Sequence, residues 1–170
     1  MEFIYKKVSK DDLRKIMEHC EIDSESKSVP VYKGFRYFST FDLREDEEAN
    51  FFLVAINKQS NNVVGVMRIK CYSLGSVEYV SESTKVEGDY FTLISFVDVK
   101  EKFKRKGIAT NLYRTLNDVL TTEDMLMGTK LSYEGAKAQL GKLRKQLVTK
   151  CPVYNSYSDY AEELYEECDW

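Results

Sequence analysis

"FTLISFVDVKEKFKRKGIATNLYRTLNDVL", residues 91–120, joins a nearly continuous apolar run to an amphipathic pattern through a short basic segment. The run at 91–99 is typical of a central strand that is buried on both faces. Five of the seven residues at 100–106 are cationic. From Gly107 onward apolar side chains recur at helical spacing, at Ile108, Leu112, Leu116, Val119 and Leu120. The stretch therefore predicts a buried strand, a tight turn and a helix, with positive charge gathered where the helix begins.

A helix that begins directly after such a strand is a favourable place to bind an anion. The N–H groups of the first turn have no partner within the helix, and the helix dipole favours negative charge there. Gly107 lets a ligand approach the backbone, and Ala109 leaves room beside the next turn. Positive charge around this point comes from Lys100, Lys102, Lys104, Arg105 and Lys106. The pattern predicts a pyrophosphate site, although the sequence has neither a GxxxxGK[ST] loop nor a GxGxxG fingerprint in this turn.

The segment "FVDVKEKFKRKGIAT" resembles the acyl-CoA-binding segment of the GNAT superfamily of N-acetyltransferases, in which a strand is followed by [RQ]-x-x-G-x-[GA] and a helix. Lys104, Gly107 and Ala109 occupy the three defining positions, with Lys104 where the family usually has Arg or Gln. The order of the other predicted elements fits the same superfamily. The resemblance implies one α/β domain over residues 1–170, with a mixed, mostly antiparallel central sheet flanked by helices and two central strands that splay apart.

The resemblance also implies a cofactor and a reaction. The co-substrate is expected to be acetyl-CoA, or a close acyl-CoA, and the acceptor a primary amine of a small molecule or peptide. By position, Val97 and Val99 would present backbone groups to the pantetheine arm and the thioester carbonyl, and the segment at 104–110 would surround the pyrophosphate. The predicted cofactor-binding residues are Val97, Asp98, Val99, Lys104, Arg105, Lys106, Gly107, Ile108, Ala109 and Thr110.

Proton transfer is the part of this chemistry that the motifs do not assign. An alkyl amine with a pKa of about 10.4 must lose a proton before it attacks the thioester. The resemblance implies a tyrosine acid on the helix after the fifth strand, but the matching turn "AKAQLGKL" has none. Nearby candidates for the acid are Tyr133, Tyr154, Tyr157 and Tyr160, of which Tyr157 is preferred. Candidates for the base are Asp98, Ser95, Glu78 and Glu82, of which Asp98 is taken as the site residue.

The N-terminal half of the chain predicts further elements by its apolar period. Residues Phe3–Val8 indicate a strand, and "SKDDLRKIMEHC" a helix capped by Ser9 and Asp12. Residues 21–50 show no clear period and are expected to be looped or partly helical. Phe51–Asn57 and residues 63–72, separated by "KQSNN", predict an antiparallel hairpin.

The second half is predicted in the same way. "SVEYVSES" is expected to extend the antiparallel strands, and "MLMGTKL" to form another strand, which the resemblance implies is parallel to the central one. "SYEGAKAQLGKLRKQLVTK" predicts a long helix with Ser132 as its cap and Pro152 beyond its end. The acidic terminus "SYSDYAEELYEECDW" predicts a short helix.

Composition narrows the possible partners and location. The net charge of −3 gives no general attraction to nucleic acid or anionic membrane, so the basic segment is expected to act locally. Four cysteines without CxxC spacing and one histidine supply a zinc site poorly, and we expect no metal and free thiols in a reducing cytoplasm. No run of 18 apolar residues occurs, so neither a signal peptide nor a membrane span is expected.

Two alternatives to an acetyltransferase stay open at this point, as does a homodimer. The chain could be a non-catalytic protein of the same fold that binds CoA or a protein partner, because the expected tyrosine is missing. A nucleic-acid-binding module that uses the basic segment is disfavoured by the acidic balance of the rest.

Overall fold

A six-stranded sheet runs through the middle of the protein. The computed structural model describes residues 1–23, 30–45, 51–73, 79–81, 84–85, 90–128 and 134–154. In chain order the elements are β1 (Phe3–Val8), α1 (Lys10–Met17), β2 (Ile22–Asp23), β3 (Val31–Tyr32), β4 (Phe51–Asn57), β5 (Val63–Ser73), β6 (Tyr79–Ser81), β7 (Thr84–Lys85), β8 (Tyr90–Val99), α2 (Ile108–Val119), β9 (Leu126–Gly128), α3 (Glu134–Leu147) and β10 (Val153–Tyr154). Short 3-10 turns cover Thr40–Leu43 and Glu101–Phe103. The sheet order is β1-β4-β5-β8-β9-β10.

The sheet is antiparallel on one side and parallel on the other. Strands β1, β4, β5 and β8 pair antiparallel in that order. Strand β9 runs parallel to β8, and β10 runs parallel to β9. The predicted fold class, a mixed and mostly antiparallel sheet flanked by helices, is therefore confirmed. So are the hairpin of β4 and β5 and the central place of β8.

Helix α1 begins where the sequence predicts. The Ser9 hydroxyl oxygen accepts a hydrogen bond from the Asp12 backbone N–H at 3.1 Å, which satisfies one of the free donors of the first turn. Leu13 and Met17 are buried one turn apart and turn the helix towards the sheet. The guanidinium of Arg14 donates to the Leu43 carbonyl, so α1 also holds the segment at 30–45.

Two hydrophobic cores lie on the two faces of the sheet. One contains the inner side chains of α2 together with Leu126 and Val148, and Val97 and Val99 of β8 pack against it. The other contains the inner side chains of α1 and of the segment at 30–45, and Phe96 packs against it. Because side chains alternate along a strand, the end of β8 contributes to both cores.

Helix α2 sits unusually close to the sheet, because Gly65 of β5 has no side chain. A Cβ on Gly65 would lie 2.7 Å from Cγ2 of Ile108 and 3.5 Å from Cδ1 of Leu112. Both of those helix side chains are fully buried. The close approach fixes the first turn of α2 against the end of the central strands.

Several local expectations differ from the structure. Tyr79–Ser81 pairs with Thr84–Lys85 in a separate two-stranded sheet and does not extend the main one. The short strand β10, which follows Pro152, was not predicted, since two residues carry no readable period. Helix α3 ends at Leu147. The predicted cap Ser132, the acidic residues at 46–48 and the acidic C-terminal helix lie outside the described residues.

The described cysteines form no disulfide. Cys20, Cys71 and Cys151 are free, and burial raises the pKa of the Cys151 thiol. None of the helices in the described ranges is long and apolar enough to cross a membrane.

Candidate functional site

A β-bulge in β8 sets the geometry of the candidate site. Arg68 of β5 lies opposite Phe96, but the next residue, Ile69, lies opposite Ile94. Ser95 is therefore an extra residue on β8, and a bulge of this kind changes which neighbour each following residue faces. The last residues of β8 are displaced by one step relative to the regular alternation.

The bulge aims the backbone of Val97 and Val99 away from β5. The N–H of Lys100 donates to the Val64 carbonyl on the β5 side, at 2.9 Å. Successive residues of an antiparallel strand direct their N–H and C=O groups alternately to one neighbour and to the other. Val99 is one residue and Val97 three residues before Lys100, so their backbone groups point the opposite way from those of Lys100. They face the side of the sheet that β9 occupies.

On that side the described pairing of β8 with β9 covers three residue pairs. The N–H of Thr92 donates to the Met125 carbonyl at 2.8 Å, and the last pair in the described residues is Ile94 with Gly128. Strand β8 itself continues to Val99. The predicted separation of the two central strands stays a prediction, because residues 129–133 lie outside the described residues.

A row of backbone donors follows the strand. The amide loop, as we call residues 105–110, contains two left-handed positions, Arg105 at φ 65° and Gly107 at φ 80°. Alternating right- and left-handed residues form a concave nest of N–H groups. Among the described residues, no acceptor lies in hydrogen-bonding geometry with any N–H of the amide loop, and the first helical bond is Asn111 N–H to the Gly107 carbonyl. The loop can therefore bind an anion with several donors at once.

The cations predicted around this loop are present on the surface. Arg105 and Lys106 are exposed, and the Lys104 ammonium lies 2.8 Å from the Glu101 carboxylate. The hydrogen bond and charge of Lys104 lower the pKa of Glu101, so this carboxylate is ionised at neutral pH. In the absence of ligand the charge of Lys104 is thus partly balanced by an exposed neighbour.

Asp98 lies on the opposite face of β8 from Val97 and Val99. Its carboxylate is 4% exposed and accepts the backbone N–H groups of Arg36, Tyr37 and Phe38, at 3.3, 2.6 and 2.8 Å. A base must offer a free oxygen to the substrate, whereas this carboxylate is already occupied by three donors. The catalytic role of Asp98 stays a prediction, and the contacts favour a role in positioning the 36–38 turn.

A buried ion pair also holds the segment at 30–45. The Arg68 guanidinium lies 2.9 Å from the Asp42 carboxylate, and both side chains are largely buried. Asp42 also accepts the backbone N–H of Ser39 at 2.8 Å. The segment is therefore fixed to the sheet by charged contacts on β5 and on β8.

The same segment contacts the start of the amide loop and exposes aromatic rings. The Glu101 N–H donates to the Gly34 carbonyl at 3.1 Å. Tyr37 is 55% exposed and Phe41 is 40% exposed. A guanidinium stacks near the Tyr37 ring, with Cζ of Arg36 at 5.3 Å from its centre. This surface is rigidly attached to the end of β8 and is open to solvent.

One polar group at the site was missed by sequence reasoning. Arg144 of α3 is 3% exposed, and its Nε donates to the Tyr113 hydroxyl of α2 at 3.2 Å. Its Nη1 is buried and has no hydrogen-bond partner among the described residues. The guanidinium fills the space where a Cβ of Gly128 would lie. Because Leu143 and Leu147 flank Arg144 on the apolar side, the helical pattern alone gives no sign of a buried cation.

Five of the predicted candidates for proton transfer belong to segments that the structure does not describe. Tyr157, Tyr133, Tyr160, Glu78 and Glu82 lie outside the described residues.

Two further candidates for proton transfer, Tyr154 and Ser95, lie within the described residues. Tyr154 lies on β10, with its ring centre 6.2 Å from that of Phe91. Ser95 occupies the bulge of β8. In the described part of the chain, no group of three His, Cys, Asp or Glu side chains is arranged to hold a metal ion.

A mixed sheet with two parallel central strands, the first of which is followed by a donor-rich turn and a helix, is typical of the GNAT fold. Solved acetyltransferases with that fold superpose on the chain. An aminoglycoside acetyltransferase, meta-AAC0020 from an uncultured soil metagenomic sample, solved with trehalose, matches at a TM-score of 0.51 and 15% identity, over 84% of this chain and 87% of that one. Arabidopsis thaliana NAA60 in complex with acetyl-CoA matches at a TM-score of 0.50 and 15% identity, over 84% and 85%. The resemblance read from the sequence is thereby confirmed for the fold.

Sequence comparison adds no closer relative. No protein-family model matches the chain, and no curated protein matches it.

Proposed function

We propose that this protein binds acetyl-CoA, or a close acyl-CoA, and transfers the acyl group to a primary amine. The observation that carries the proposal is the amide loop, whose six successive N–H groups have no acceptor among the described residues, shortly after the central strand β8. A pyrophosphate supplies several anionic oxygens to such a row of donors. The solved complex of NAA60, which shares the fold, contains acetyl-CoA and supports the choice of ligand.

In this proposal the cofactor extends from the amide loop into the cleft. The N–H groups of residues 105–110 bind the pyrophosphate, with Lys104, Arg105 and Lys106 adding charge. The backbone groups of Val97 and Val99 hydrogen-bond to the pantetheine arm, as a further strand would. The thioester then lies near the end of β8, where the acceptor amine must arrive.

The acceptor is proposed to enter along the segment at 30–45. This segment is attached to β8 through Asp98 and exposes the rings of Tyr37 and Phe41. Its ties to the sheet keep this wall in a fixed position relative to the thioester. An aminoglycoside acetyltransferase among the structural neighbours supports including polycationic amines among the acceptors to be tested.

Binding can be tested before any acceptor is known. Acetyl-CoA at about 100 times its dissociation constant should add about 2.7 kcal/mol to the free energy of unfolding. For a chain of this length that corresponds to a rise in melting temperature of about 5–10 °C. A cooperative melt with no shift in acetyl-CoA would contradict the proposal.

A pair of double variants localises the binding. Arg105→Glu with Lys106→Glu reverses two exposed charges at the amide loop and should weaken acetyl-CoA binding about tenfold or more. Lys142→Glu with Lys145→Glu reverses two exposed charges on α3 and should change the affinity much less. Equal effects of the two pairs would show that only net charge matters, and would remove the amide loop from the site.

Turnover is tested separately, by release of free thiol from acetyl-CoA with polyamines, aminoglycosides, amino acids and basic peptides as acceptors. Helix α3 has no tyrosine within Glu134–Leu147, which keeps a non-catalytic CoA-binding protein as the second candidate. Binding of acetyl-CoA with no thiol release above the rate in buffer for any acceptor class would favour that candidate.

A further inference from the structure

Lys100 is a cation that the fold holds in place directly after β8. Its aliphatic stem packs against Gly34, since a Cβ on that glycine would lie 3.2 Å from Cγ of Lys100. Its ammonium lies 5.5 Å from the centre of the buried Phe35 ring. The side chain is partly buried, so these contacts restrict its orientation.

Among the described residues, no anion is paired with this ammonium. The two acids nearest to it in the sequence are occupied elsewhere. The Asp98 carboxylate accepts three backbone N–H groups, and the Glu101 carboxylate lies 2.8 Å from the Lys104 ammonium. A cation that is already held in position can bind an anionic group of a ligand with little further loss of side-chain entropy.

Lys100 lies on the face of the sheet that carries the segment at 30–45. Phe35 belongs to the core on this face, whereas Val97 packs against the core on the face of α2. The Glu101 N–H, one residue beyond Lys100, donates to the Gly34 carbonyl and ties this point to the segment. The ammonium is therefore at the wall proposed for the acceptor, and not at the backbone proposed for the pantetheine arm.

The surroundings of Lys100 are basic, although the chain is acidic overall. Residues 33–37 and 98–106 carry seven cationic side chains and two carboxylates, in a protein whose net charge is −3. Lys33 is paired with the exposed Glu21 carboxylate at 2.8 Å. Because like charges repel, this region disfavours a polycationic acceptor and favours one that carries negative charge.

We propose that the Lys100 ammonium binds a carboxylate of the acceptor, so that the acceptor is an amine that also carries an acidic group. This inference rests on the proposed function, because it takes the segment at 30–45 as the wall along which the acceptor enters. The carboxylate anchors the acceptor at Lys100, and its amine stays free to reach the thioester. The acceptor then differs in charge from that of the aminoglycoside acetyltransferase with the same fold.

The test uses two peptide amides with the same amine, Gly-Glu-NH₂ and Gly-Gln-NH₂, of which only the first has a carboxylate. The protein is saturated with CoA, which has no acyl group to transfer, and each peptide is titrated while backbone amide resonances are followed in two-dimensional ¹H–¹⁵N spectra. We expect Gly-Glu-NH₂ to bind about three- to fivefold more tightly at low salt, as a partly exposed ion pair allows. Its shifts should be concentrated at residues 34–37 and 100–101, and the preference should fall at high salt.

The variants assign this preference to one ammonium. Lys100→Met should abolish it, and Lys100→Arg, which keeps the charge, should retain most of it. Lys33→Met removes an exposed cation of the neighbouring turn that is already paired with Glu21, and should leave the preference intact. All three variants should bind acetyl-CoA nearly as tightly as the wild-type protein does. If Lys100→Met does not fold, Lys100→Gln takes its place.

The outcomes separate this inference from the proposed function. Equal affinities of the two peptides for the wild-type protein, or no binding of either, overturn the role of Lys100 and leave acyl-CoA binding in place. A preference that persists in Lys100→Met, or that is lost equally in Lys33→Met, also overturns it.

The affinity for acetyl-CoA supplies the remaining check. A loss in Lys100→Met as large as that in the double variant of Arg105 and Lys106 would assign Lys100 to the cofactor and overturn its role with the acceptor. Failure of both CoA and acetyl-CoA to bind the wild-type protein overturns the proposed function, and the acceptor role with it.

Discussion

The two segments that flank the end of β8 use the same kind of donor in opposite ways. In the segment at 30–45, three successive backbone N–H groups donate to the carboxylate of Asp98. In the amide loop, six successive N–H groups find no acceptor among the described residues. A buried backbone N–H needs a hydrogen-bond acceptor within the protein, whereas an N–H that solvent can reach is free to bind a ligand. The first row therefore contributes to stability, and the second is available for binding.

The buried arginines show the same contrast. Arg68 is paired with the Asp42 carboxylate at 2.9 Å. Arg144 contacts a neutral phenol and keeps Nη1 without a partner in the described residues. Substitutions around Arg68 and Asp98 should thus lower the free energy of unfolding, and those in the amide loop should mainly change ligand binding.

The largest effect on stability is expected for Asp42→Asn. The substitution removes the carboxylate that the buried Arg68 guanidinium contacts at 2.9 Å and weakens the acceptor for the Ser39 N–H. Removal of one partner of a buried ion pair typically costs about 3–5 kcal/mol. Equilibrium unfolding in urea measures the loss.

The matched control is Asp11→Asn. Asp11 pairs with Arg14 at 3.1 Å, but its side chain is 78% exposed. An exposed pair contributes at most about 1 kcal/mol. If Asp42→Asn costs no more than Asp11→Asn, the ion pair of Arg68 does not hold the segment at 30–45.

Asp98→Asn should follow, with a loss of about 2–3 kcal/mol. The amide keeps one acceptor oxygen, but its NH₂ group then faces a backbone N–H, and hydrogen bonds to a charged acceptor contribute about 1.5–3 kcal/mol each. Unfolding in urea gives the stability. Acetyl-CoA binding at a temperature where the variant is folded gives the function, and we expect the affinity to stay within about threefold of wild type. A variant of unchanged stability would contradict the positioning role of Asp98.

Arg144→Met is expected to change the stability by only about 1 kcal/mol in either direction. Replacement of a buried, poorly paired charge by an apolar side chain of similar length is often neutral or stabilising. The Tyr113 hydroxyl loses one donor, which limits any gain. Thermal unfolding measures the change. A loss as large as that of Asp42→Asn would indicate that Arg144 is a structural residue like Arg68.

The smallest effect is expected for Glu101→Gln. The carboxylate is exposed, so the free energy of unfolding should be nearly unchanged. The variant frees Lys104 and removes a negative charge beside the amide loop, so acetyl-CoA should bind about two- to threefold more tightly at low salt. Titration calorimetry at two salt concentrations measures both effects.

The pH dependence of this difference follows from the charge of Glu101. Because Lys104 lowers the pKa of Glu101, the carboxylate stays ionised at neutral pH. It becomes protonated only at a pH below the ordinary pKa of a glutamate. The acetyl-CoA affinities of the wild-type protein and Glu101→Gln should therefore differ most near neutral pH and become equal as the pH falls through the lowered pKa of Glu101. An unchanged difference at acidic pH would show that the Glu101 charge is not its cause.

The parts of the fold that the sequence predicts well are those with a local period. The strand at Phe3–Val8, the Ser9 cap, the hairpin and the helix after Gly107 all depend on residues within a few positions of one another. The amide loop was also predictable from the sequence, because Gly107 and the preceding apolar strand mark the start of α2.

The parts that the sequence did not predict depend on distant contacts. The bulge at Ser95 is defined by its pairing with β5. The partner of the Asp98 carboxylate, the Phe38 N–H, lies 60 residues away, and Tyr113 and Arg144 are separated by 31. A carboxylate on a central strand and an arginine between leucines have no local signal that tells a positioning role from a catalytic one.

We propose that the N–H groups of the amide loop bind the pyrophosphate of CoA. The most direct measurement follows the backbone amide resonances in two-dimensional ¹H–¹⁵N spectra during titration with acetyl-CoA. We expect the largest shifts at residues 105–110, with those at 36–38, whose donors are already bound to Asp98, changing little. Saturable binding that leaves 105–110 unshifted, or the absence of any binding, would contradict the account.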